Sequence, residues 1–132
     1  GASQAIAIVE VPNRYLAGIT EVALKNHYAD KTNWRKMLTN SFETIDLVAE
    51  RLKVEHLIPT EVQEYFYNQT IDLYEMQYPV LEYPTKVTSL SLDKTPNFQG
   101  KLMGIKGQYL LFEGGIVFNI RSSEGYIVKI EI

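Results

Sequence analysis

Arg14, Glu21, His27 and Asp30 lie close together in the sequence. A carboxylate beside an arginine and a histidine can hold a divalent cation or orient a phosphate, as phosphodiester hydrolysis requires. Glu21 is the candidate catalytic residue, with Arg14, Gly18, Lys25 and His27 as candidate binding positions around it. The spacing also has a plainer meaning. Glu21 and Lys25 stand four apart and make an ordinary helix-surface pair worth about 0.3 kcal/mol. Gly18 interrupts the polar row, and a mid-helix glycine costs about 1 kcal/mol relative to alanine, so close approach of a neighbouring strand or a ligand is expected there.

Other residues extend the candidate set. Arg35 follows the single tryptophan, Lys106 lies between glycines in GKLMGIKG, and Arg121 follows Asn119. That glycine segment lacks the GK[ST] ending of a phosphate-binding loop, and a bend in a β-strand is its plainer reading. Tyr65, Tyr67, Tyr74, Tyr78 and Tyr83 could stack on bases, but no Lys or Arg falls between Val54 and Thr85, so packing or a protein interface is expected of them. His56 has no second ligand nearby in sequence. Neither a Gly-x-Ser-x-Gly elbow nor a His-Glu-x-x-His pair is present.

The elements that must position these residues read as α+β: a helical N-terminal half with one leading strand, then a C-terminal five-stranded antiparallel meander or small barrel. The spacing predicts a strand over Ser3–Val11 and a helix from Arg14 to about Tyr28, capped by Asn13, that buries Leu16, Ile19, Val22 and Ala23. A short helix capped by Asp30 or Thr32 carries Trp34 as a core anchor. A third begins after Ser41 with Phe42, Ile45, Val48, Ala49 and Leu52 inward, and Asn40 breaks the chain between the two. Thr60 to Gln63 fits a capping box opening a helix that ends near Asn68. Residues 1–69 form this part, and a tyrosine-rich connector with one edge strand spans 70–85. The meander spans 86–132, from runs at Val87–Leu92, Lys101–Lys106, Gln108–Phe112, Ile116–Ile120 and Tyr126–Ile132, with turns at Glu113–Gly115 and Ser122–Gly125.

Composition narrows the function classes. The 132 residues have no cysteine, two histidines and a formal net charge of −3. Disulfides and thiolate metal sites within the chain are excluded, and broad nucleic-acid binding over the whole surface is disfavoured. Glu55, Glu61, Glu64, Asp72, Glu75 and Glu82 occupy the stretch that lacks cations, so a polyanion would sit on the first or last third. The absence of a membrane-spanning run or signal-peptide pattern gives a cytoplasmic expectation.

Three segments, NRYLAGITEVALK, DKTNWRKML and GIKGQYLLFEGGIVFNIRSSEGY, together resemble the C-terminal part of an uncharacterised bacterial domain-of-unknown-function family. Members of that family are longer. They carry a cysteine-bearing N-terminal region, a strand similar to KVGVT and an Arg-Trp element. The resemblance implies a C-terminal fragment whose first partner is the upstream part of its own protein. More distantly, a strand, a helix with a glutamate, then His and Trp resemble the second half of GIY-YIG-like nuclease domains. That resemblance implies Glu21 as a Mg²⁺ ligand, although the tyrosine strands that name the family are missing, so the fragment alone would be inactive. No cofactor is expected outside that alternative. A binding or assembly role, with nucleic acid as a possible partner, is the principal expectation.

Overall fold

The computed structural model describes residues 1–29, 31–67 and 72–131. Helices and strands both occur, and the fold is α+β. The chain divides into two compact units: residues 2–32 with 43–76, and residues 33–42 with 77–132 plus Gly1.

The first unit holds β1 (Gln4–Ile6), α1 (Arg14–Leu24), α3 (Leu47–Val54) and β2 (Leu73–Glu75). Here β2 is the edge strand expected in the connector, and it pairs antiparallel with β1 over three residues. The leading strand is shorter than the Ser3–Val11 run; beyond it, Val9 makes an isolated bridge to Phe66. Asn13 caps α1, its side-chain oxygen accepting from the Leu16 amide at 3.0 Å. The helix stops at Leu24 rather than near Tyr28 because the Leu24 carbonyl accepts from both His27 and Tyr28 in a closing turn.

Two positions of the expected α1 stripe change. Val22 is exposed, and Thr20 is buried in its place. A buried threonine is tolerated because its hydroxyl donates to the Leu16 carbonyl at 2.8 Å. Asp46 opens α3, accepting from the Val48 and Ala49 amides. That cap fixes the start of the helix and leaves Phe42 and Ile45 in an exposed irregular stretch, not on a helical face.

Thr60–Tyr65 is a 3₁₀ helix without a side-chain cap, so the capping box does not form. Pro59 precedes it, and the Val62 amide bonds the Pro59 carbonyl. Val54, Ile58 and Val62 are buried there. The expected end near Asn68 lies outside the described residues.

The second unit holds α2 (Trp34–Leu38), β3 (Thr88–Ser89), β4 (Leu102–Lys106), β5 (Tyr109–Phe112) and β6 (Ile116–Asn119). Asn33 caps α2, where Asp30 or Thr32 was expected; Asp30 lies outside the described residues. Asn40 ends this segment with a positive φ of 56°, as a breaker should.

The sheet has four strands in the order β3-β6-β5-β4. This corrects the five-stranded antiparallel meander: β3 joins β6 in parallel, and Tyr126 to Glu131 form no strand. Both edges of the β4-β5-β6 meander are taken by earlier chain. Thr88 and Ser89 line β6, while the Leu81 and Ile105 amides bond across to Met103 and Pro79 along β4. The last run therefore finds no ladder position on this meander and stays exposed.

Leu38, Tyr109, Leu111 and Val117 form the core of this unit, with Trp34 and Met37 packed on it. Gly104 shows why GKLMGIKG is glycine-rich. A Cβ there would sit 2.8 Å from the Val80 backbone, so glycine relieves crowding beside a register shift in β4.

Candidate functional site

Charge separates along the two units. Residues 2–32 and 43–76 carry five Lys and Arg against eleven Asp and Glu, a formal −6. The other unit carries eight against five, a formal +3. Seven of its eight cations, Arg35, Lys36, Lys86, Lys94, Lys101, Arg121 and Lys129, are exposed.

Trp34 explains how α2 presents Arg35. The indole stacks on Tyr109 with ring centroids 5.8 Å apart and planes 12° from parallel. The Arg35 guanidinium lies over the same indole, 4.2 Å from its centroid. The guanidinium is exposed, and cation–π attraction to the ring orients it.

Lys106 is withdrawn from solvent, with 2% of its surface exposed. Its ammonium donates to Asn40 Oδ1 at 3.2 Å and faces the rings of Tyr83, Tyr78 and Phe42 at 4.7, 5.5 and 5.7 Å. The charge is met by π faces and a side-chain amide within its own unit.

Beside this cage lies an open groove of about 390 Å³. Its apolar lining includes Tyr83, Met103, Leu111 and Phe112, and Glu82, Lys86 and Glu113 bring charge to it. Gly115 lets its two walls approach: with φ of +75°, it comes so close to Lys86 that a Cβ would sit 2.1 Å from the Lys86 carbonyl oxygen. Sequence reasoning found the Glu113–Gly115 turn but missed Glu82, Lys86 and Phe112 as neighbours in a groove. The Gly114–Gly115 pair after Phe112 was the available signal.

The remaining candidates fall in the acidic unit. Arg14, Glu21, Lys25 and His27 are exposed on α1 and its closing turn. Arg35, Lys106 and Arg121 belong to the other unit. Nothing among the described residues lies within 4 Å of where a Cβ on Gly18 would be, so no neighbouring strand approaches it there. Among the described residues no group of three or more His, Asp or Glu side chains is placed to hold a metal ion. Among the same residues no helix is long and apolar enough to cross a membrane.

Tyr126 and Tyr65 are among the described residues whose protonation a neighbouring carboxylate perturbs. Tyr126 donates to Asp93, and this hydrogen bond is the main reason its phenol holds a proton to higher pH than usual. Glu64 does the same to Tyr65, chiefly through its charge.

No curated protein and no solved structure matches the chain. Residues 1–128 match the family described as a protein of unknown function (DUF2797), and the chain belongs to that family.

Proposed function

We propose that this chain is a binding module for single-stranded nucleic acid, with its C-terminal unit as the binding surface. The observation that supports the reading is the charge partition, +3 on one unit against −6 on the other. Phosphates take the exposed cations, with Arg35 on its indole platform and Lys86 beside the groove. A base splayed from the strand enters the groove, where Tyr83 and Phe112 offer aromatic contact. Glu82 and Glu113 accept hydrogen bonds from exocyclic amines, which favours adenine, cytosine and guanine over the amine-free uracil and thymine.

The test is fluorescence anisotropy of a labelled oligonucleotide across a salt series. Binding weakens with salt, and Lys86→Glu lowers the log–log slope by about 0.7, the value for one lost single-strand phosphate contact. Lys31→Glu, an exposed charge reversal in the acidic unit, leaves the slope unchanged. Absence of binding at low ionic strength, or equal effects of the two reversals, overturns the reading.

A further inference from the structure

Helix α1 carries an outward face that its own unit does not use. Tyr15 and Val22 are 71% and 68% exposed, and Gly18 between them has nothing within 4 Å of where a Cβ would be. All three lie on the 11-residue helix at the three- and four-residue spacing that brings side chains onto one side. Arg14 and Glu21 lie along one edge of this face, both exposed. An exposed aromatic and a valine around a glycine notch make a ridge and a hollow on one surface.

We infer that α1 is a self-association surface whose occupant is the α1 helix of a second copy, packed antiparallel about a two-fold axis. In that arrangement Tyr15 lies over the notch at the partner's Gly18, and the reverse contact forms by symmetry. The same register sets Arg14 about two residues, roughly 3 Å along the axis, from the partner's Glu21. Two reciprocal ion pairs therefore close the ends of one apolar contact. A parallel pairing would put the two charged edges on opposite sides of the contact, where Arg14 and the partner's Glu21 do not meet, so charge selects the antiparallel form. An 11-residue helix offers a small area, which puts the dimer in the weak, salt-sensitive class.

This surface lies wholly within the acidic unit and does not depend on the nucleic-acid reading. Sedimentation velocity over a concentration series at low salt tests it, with far-UV circular dichroism confirming that each variant keeps its helices. Wild type self-associates to a dimer. Arg14→Glu weakens association about tenfold or more, because both pairs become repulsive. Arg14→Glu with Glu21→Arg restores it to within about threefold of wild type, the exchanged charges meeting again in the same register. Tyr15→Ser abolishes it without touching a charge. A wild type that stays monomeric overturns the inference. So does an Arg14→Glu variant that associates normally, or a double variant that recovers nothing.

Discussion

Lys106 shows how much one side chain's neighbours decide. Its 2% exposure would ordinarily be prohibitive for an ammonium, since burying a charge costs several kcal/mol unless it is compensated. Compensation comes from Asn40 and from three rings, of which Tyr83 is nearest at 4.7 Å. Removing one compensating group leaves the charge stranded, so Tyr83→Ala should cost about 3 kcal/mol. In a Lys106→Met background the stranded charge is gone and the same truncation loses only packing, roughly half as much. Urea denaturation of the four proteins of this cycle measures the difference. Equal costs in both backgrounds would show that the rings serve only as apolar filler.

Among the elements, α3 and the turn after α1 are joined by a small charged network. Glu50 accepts from Lys53 at 2.6 Å and from the Tyr28 hydroxyl at 3.1 Å. These bonds, Lys53 first, hold its carboxyl below the usual glutamate range, while the bond to Glu50 raises Lys53. A carboxylate with a depressed folded-state pKa contributes stability in full above its unfolded value of about 4.3, and that contribution disappears as pH falls through the folded value. Lys53 works in the opposite sense, its contribution present below its unfolded value of about 10.4 and lost as pH rises through the raised one. Thermal melts between about pH 5 and pH 3 should therefore lose more for wild type than for Glu50→Gln. Parallel curves for the two proteins would remove the network from the acid response.

How much of these elements was legible depended on whether their causes were local. Asn13, Asn40 and the Gly114–Gly115 turn act through their own backbones, and each was readable from residue type. The starts of α2 and α3 were misplaced because several capping residues stood close together, and among the described ones Asn33 and Asp46 have the side chains that accept from the free amides. The sheet could not be read at all in one respect. Nothing in Thr88–Ser89 announces a parallel partner nearly thirty residues later, nor that occupying that edge leaves Tyr126 to Glu131 unpaired. The groove was missed for the same reason, since Glu82 and Glu113 are brought together by non-local bonds, Leu81 to Met103 and Glu113 to Lys101. Gly18 is the converse case: its local oddity was plain, but no contact among the described residues explains it.

On the scale of the whole molecule, the −6 and +3 units make opposite electrostatic demands. Glu55, Glu61 and Glu64 crowd onto two successive 3₁₀ helices, and all three are exposed. The raised Tyr65 phenol, shifted first by the charge of Glu64, reports that local negative field. Like charges so arranged repel in the folded state more than in the expanded chain, which destabilises the unit that carries them. Glu61→Gln with Glu64→Gln should therefore raise stability at low salt by ~0.5 kcal/mol, the scale of exposed charge interactions. Helical circular dichroism is the suitable probe, because α1 and α3 both lie in this unit, whereas Trp34 fluorescence reports the other. In about 1 M salt the screening length shrinks to roughly 3 Å and the advantage should vanish. A gain that persists undiminished in salt would mean that the glutamates act through local helix geometry, and that the acidic unit tolerates its charge without strain.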